Sequence, residues 1–289
     1  MPNGHDFLSP RDFGAAIGIS ESTIKRWVDT GEVRVMRTPG GHRRIPRSEA
    51  VRFIRDHHCT LADPGLLGLD DGLAPAPITI ELTEQVHAAL VAGDEPVLRR
   101  LLIGAYLGGA RLAELGDGPV RSAMQRIGTL WQHSDDGIAI EHHAVQVLLR
   151  MLLRLRQYLA LPPAEAPAAL GGAPAGDPYL LGSALAEMCL LEAGWRTMNL
   201  GPDSPLGAFR AAMARMRPRV VWLSLSSPPG SGQAEAVTEL ADQCQRTGAH
   251  LVVGGRCVDE LGLDEATPCE RARSLADLVE LVRALHPAA

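Results

Sequence analysis

Arg37-Thr38-Pro39-Gly40-Gly41-His42-Arg43-Arg44-Ile45 is the stretch that decides how the front of this chain is read. Two adjacent glycines permit a tight reversal, because glycine accepts positive φ without steric cost. Residues 33–37 and 42–45 then become the arms of a hairpin. Upstream, Ser9-Pro10-Arg11-Asp12 places a capping serine before a proline in the first turn, which predicts a helix running to about Ile17. Gly18 breaks it. Ser20 caps a second helix that carries Ser22, Thr23, Lys25, Arg26 and Trp27, and Gly31 ends it. Pro46-Arg47-Ser48-Glu49 opens a third helix that closes near His57.

Charge gives this head its chemistry. The chain of 289 residues has a net charge of −6, yet residues 1–58 carry ten Lys/Arg against seven Asp/Glu. A basic head on an acidic body suits duplex DNA, since only the contacting face needs the charge. Lys25 is the only lysine in the chain and lies on the second helix. Base-edge contacts are expected from Ser22, Thr23 and Arg26, with Lys25 adding charge beside them. Backbone contacts are expected from Arg37, His42, Arg43 and Arg44, on a turn shaped by Thr38, Gly40 and Gly41. Trp27 reads as a brace between helices.

The rest of the chain is ordinary globular sequence, 46% hydrophobic and 21% charged, and long enough for two or three domains. The five cysteines include no CxxC pair, which points to a reduced, cytoplasmic protein. No signal-peptide core and no membrane-spanning run is expected. Residues 59–78 read as a linker rich in proline and glycine. Residues 80–91, 95–107, 119–131 and 138–159 have apolar residues at three- and four-residue spacing, which predicts a four-helix bundle over 79–160. Residues 161–176 read as a second linker, within which residues 168–173 could hold a strand. Over 177–289 short apolar strands alternate with helices, so a parallel sheet covered on both faces is expected. The fold class is therefore multidomain, α and α/β: a winged helix-turn-helix head, a four-helix bundle, and a Rossmann-like (flavodoxin-like) domain.

The hairpin run Thr38-Pro39-Gly40-Gly41-His42-Arg43-Arg44 behind its helix-turn-helix resembles the head of MerR-type transcription regulators. A second pattern, Trp131 followed by Glu141-His142, resembles the helical cap of cobalamin-binding modules. There the Trp covers the upper face of the corrin and the Glu-His pair faces the upper axial ligand. A third set comprises Asp177, Tyr179 and Gly182, then Ser224 and Ser226, then Gly254 and Gly255. It resembles the loops of corrinoid-binding domains, where small residues leave a slot for a nucleotide-like tail. Taken together, the chain resembles the light-sensing, cobalamin-dependent MerR-type repressors of the CarH type.

That resemblance implies operator DNA as partner, a homo-oligomer (dimer or tetramer), and adenosylcobalamin or methylcobalamin as ligand. It also implies assembly that light reverses, and no enzymatic role. A methyl-transfer carrier subunit would share the cap and the α/β domain but has no use for the head. One departure stands out: the family's lower axial histidine is Tyr179 here, and His142 or His133 is left to face the metal from above. A phenol must lose a proton with a pKa near ~10 before it ligates well. Tyrosine does ligate ferric iron in some haem proteins. Three readings stay open from sequence: cobalamin with its own base retained, another tetrapyrrole, or a ligand-independent regulator whose domain mediates protein–protein contacts.

Overall fold

The computed structural model describes residues 7–130 and 135–285. They form two compact units, one of residues 1–111 with 118–160 and one of residues 112–117 with 161–289.

The first unit opens with β1 (Phe7–Leu8), α1 (Pro10–Ala16), α2 (Glu21–Thr30), β2 (Met36–Arg37), β3 (Arg43–Pro46) and α3 (Arg47–Asp56). Ser9 and Asp12 close a capping box on α1: Asp12 N donates to Ser9 Oγ at 3.1 Å and Ser9 N to Asp12 Oδ2 at 3.3 Å. The turn into α2 is tight, and a Cβ on Gly14 would lie 2.5 Å from the Ile19 carbonyl oxygen. Ser20 caps α2, and Gly31 ends it at φ 84°. The three strands form an antiparallel sheet in the order β1-β3-β2. Phe13, Ile24, Ile45, Phe53 and Ile54 are fully buried beneath it. Trp27 lies half-buried against Phe53, ring centroids 4.9 Å apart, and so braces α2 on α3.

Residues 59–78 are packed chain rather than the expected linker. Ala62 N donates to Ala16 O at 2.8 Å, and Asp70 accepts two bonds from Arg99 at 2.7 and 2.9 Å. Leu67, Leu69 and Leu73 are buried. Proline and glycine here mark turns, and the leucines between them supply the burial that holds the segment down.

α4 (Ile80–Ala92), α5 (Glu95–Leu107), α7 (Arg121–Leu130) and α8 (Asp135–Arg156) pack as the bundle, with α4 touching all three others. Thr79 and Asp94 cap α4 and α5. Between α5 and α7 lies α6 (Leu112–Leu115), followed by a π-helical turn, Gly116–Val120. This excursion packs with the second unit. Glu192 Oε2 accepts from Leu112 N at 2.9 Å, and Asp117 accepts from Leu275 N and Ala276 N at 3.0 and 2.9 Å.

The second unit continues with β4 (Ala168–Gly172), α9 (Leu181–Glu192), β5 (Arg196–Asn199), α10 (Leu206–Met216), β6 (Val220–Ser224), α11 (Gln233–Thr247), β7 (His250–Gly254), β8 (Cys269–Ala272) and α12 (Leu275–Leu285). All five strands are parallel, in the order β5-β4-β6-β7-β8. This is the flavodoxin-like doubly wound order, with its switch point between β4 and β6. The expected linker over 161–176 and the domain start at 177 are thereby corrected, because β4 is an interior strand of this sheet. Ala168-Ala169-Leu170-Gly171-Gly172 is buried throughout. Its small residues disguise a strand, since the bulk on that face comes from the neighbouring β6. β8 (Cys-Glu-Arg-Ala) lacks the apolar run that would have announced it.

Candidate nucleic-acid interface and ligand edge

The wing turns on three residues. Gly41 N donates to Thr38 O at 2.8 Å, and Thr38 N to His42 O at 3.0 Å. Gly41 holds φ 78° while Gly40 does not take a positive φ, the pattern of a three-residue hairpin loop with a left-handed last residue. Thr38 Oγ1 accepts from His42 N at 3.1 Å, so its hydroxyl shapes the turn. Arg37, Gly40, Gly41, His42 and Arg44 are exposed.

Arg43 differs from the free phosphate contact the sequence implies. Its Nη2 lies 2.6 Å from Asp29 Oδ1 on α2. The pair joins wing to helix, and nothing in its spacing on the hairpin announced the partner. On α2, Ser22 and Arg26 are exposed. Ser20 Oγ stands 2.9 Å from both Ser22 Oγ and Thr23 Oγ1, so these hydroxyls cluster at the helix start. Lys25 pairs with Glu21 at 2.7 Å, an exposed pair that a phosphate can exchange.

The base of the wing is fixed from below. Glu49 is buried, and its carboxylate accepts from Arg34 N at 2.8 Å and from Arg52 Nε at 2.9 Å. Arg52 also reaches Asp56 at 2.6 Å and Glu32 O at 3.0 Å. The Glu49 carboxylate beside it raises the Arg52 guanidinium further above its usual range. Sequence reasoning passed over Glu49, which is only the third residue of a predicted helix. Arg55 on the same helix donates to the carbonyls of Tyr106 and Ala110 and lies 3.7 Å over the Tyr106 ring. The last turn of the head is thereby held to the end of α5.

In the second unit, the loops after β4 and β6 diverge at the switch point, where open parallel sheets take ligands. Asp177 is buried between them. Its Oδ1 accepts from Tyr179 N at 3.0 Å and its Oδ2 from Ser227 N at 3.1 Å, with Ser226 N a second donor to Oδ2. Tyr179 stands 40% exposed, so its ring lies at the surface of this edge. The Arg256 guanidinium lies 4.8 Å from the Tyr179 ring centroid, and Arg256 Nε donates to Ser226 O at 2.5 Å. Arg256 carried no motif and was not foreseen; the Gly254-Gly255 turn delivers it.

Asp177, Tyr179, Gly182, Ser224, Ser226, Gly254 and Gly255 therefore gather at one sheet edge, where the glycines lie close against their neighbours. A Cβ on Gly182 would lie 2.6 Å from Ser224 Oγ, and one on Gly255 2.2 Å from Leu225 O. One on Gly254 would lie 2.8 Å from Ala272 O. These glycines serve close approach of helix to strand and of loop to loop. Glu141 and His142 sit on α8 in the first unit, His142 exposed. Trp131 and His133 lie outside the described residues.

Residues 7–58 match the model of a helix-turn-helix domain. The HTH-type transcriptional repressor CarA of Myxococcus xanthus is 29% identical over 236 residues, 75% of this chain and 76% of CarA. The chain is thus similar to CarA over three quarters of its length and carries a helix-turn-helix domain at its front. The monomethylamine corrinoid protein of Methanosarcina barkeri superposes with a TM-score of 0.55 at 18% identity, over 71% of this chain and 98% of that one. The two chains thus share a fold over that length. No helix among the described residues is long and apolar enough to cross a membrane.

Tyr179 presents a phenol at this edge, and Gly182 lies close against Ser224.

Proposed function

We propose that the chain binds operator DNA as a homo-oligomer and that its C-terminal parts set the strength of that binding in answer to a corrinoid or related tetrapyrrole. The observation that carries the reading is the head: an exposed Arg37-His42-Arg44 wing braced beside an α2 that exposes Ser22 and Arg26. The wing grips phosphates and the start of α2 reads base edges. A single head makes few phosphate contacts and binds weakly at physiological salt; joining heads raises the effective affinity. A ligand that binds one assembly state better than another shifts the population toward it and changes occupancy of the promoter.

Tyr179 and the close approach of Gly182 to Ser224 favour a second reading. In it the α/β domain works without a ligand and mediates protein–protein contacts. One experiment separates the two. The protein is incubated with hydroxocobalamin, or with haem, gel-filtered in the dark and after illumination, and its spectrum and affinity for a selected duplex are recorded. A retained chromophore that changes duplex affinity or elution volume supports ligand control. No chromophore, with duplex binding intact, leaves the ligand-independent regulator.

A further inference from the structure

Trp222 is the third residue of β6 and lies two positions before Ser224, so both side chains point to the same face of the sheet. That face is the one covered by α9 and α12, where Trp222 packs with Ala169, Ala186, Leu190, Val252 and Leu278. The ring is 2% exposed. It lies directly over Gly171 of β4: a Cβ there would be 1.9 Å from the indole. A group passing between α9 and the sheet at the switch point would meet the Gly182–Ser224 contact first and the Trp222 indole next. The indole Nε1 is buried without a hydrogen-bond partner among the described residues. An unpaired donor is costly in a core, so the ring is held by its volume and its packing.

We infer that Trp222 is a specificity-determining residue: it closes this domain to the nucleotide tail of cobalamin, so that a ligand at the β4/β6 edge is a tetrapyrrole held without an inserted tail. The inference rests on the proposed ligand response for its biological meaning but not for its test. Glycine at 171 and tryptophan at 222 are complementary halves of one plug, which a bulky residue at 171 or a small one at 222 would undo. Replacing Tyr179 by histidine would restore an axial donor and still leave the tail nowhere to go.

The test compares hydroxocobalamin with hydroxocobinamide, which keeps the corrin and lacks the tail, on full-length Tyr179→His, Tyr179→His/Trp222→Ala and Tyr179→His/Trp222→Val. The valine variant keeps a β-branched residue in the strand, and circular dichroism with thermal unfolding establishes that each protein is folded. The single variant is expected to bind the two corrinoids within about threefold of each other, or neither. At least one double variant is expected to favour cobalamin by roughly tenfold or more, a gain near 1.4 kcal/mol. A tenfold preference already present in Tyr179→His overturns the inference, because the tail then had room. So do folded double variants that show no preference or bind neither corrinoid. Failure of the wild-type protein to retain a chromophore bears on the proposed ligand response alone.

Discussion

Arg43 Nη2 lies 2.6 Å from Asp29 Oδ1, so one ion pair pins the wing to the helix beside it. Asp29 is more than half exposed, and a pair of this kind adds about 0–1 kcal/mol to folding. Its larger effect is orientation, because it fixes the angle at which Arg37, His42 and Arg44 are presented.

Asp29→Ala separates a strut from a phosphate contact. Removing an acidic group near DNA ordinarily strengthens binding. If Arg43 is a strut, Asp29→Ala weakens duplex binding a few-fold despite the gain in net positive charge, about 0.5–1 kcal/mol. Fluorescence anisotropy at fixed salt checks this, and tighter binding would show Arg43 better employed on phosphate.

Arg44→Ala removes an exposed wing charge without disturbing the strut. Affinity is expected to fall by a similar factor for all duplex sequences, and the slope of log K against log salt to shrink by about one. A loss confined to one sequence would assign Arg44 to base reading.

Glu49→Ala should destabilise the head by about 1–3 kcal/mol, since it strips a buried acceptor from Arg34 N and Arg52. Urea unfolding measures it. An unchanged midpoint would mean that water replaces the carboxylate at no cost.

Burial pushes the Cys244 thiol up to about 12 and raises that of Cys189 further. At pH 8 both stay protonated, and because thiolate is the reactive form, alkylation of the native protein should spare them. Labelling followed by peptide mass analysis checks this; both should react only once the chain is unfolded.

Much of this molecule was legible because capping and turn chemistry are local. Ser9, Ser20, Gly31 and the Thr38–Gly41 run announce elements that need no distant partner, and β6 and β7 carry apolar runs that only a buried parallel strand explains. What escaped depends on contacts remote in sequence. Residues 168–173 read as a candidate strand inside a Pro/Ala/Gly linker, and their interior place in the sheet shows only where the Trp222 indole lies over Gly171. The stretch 59–78 reads as flexible until its leucines find a core. The expected site residues of the α/β domain gathered for the same reason the motif exists, since loops after parallel strands share an edge. Motif spacing says which residues meet, however, and not whether space is left between them.

The most direct test of the account is the salt dependence of duplex binding by the full-length protein, read by anisotropy on a duplex selected from a random pool. Between roughly 50 and 200 mM salt the account predicts a linear fall of log K with log salt that steepens with the number of heads engaged. Replacing Arg37 and Arg44 together should flatten it. A slope near zero, or one unmoved by those two substitutions, would contradict a cationic wing gripping DNA.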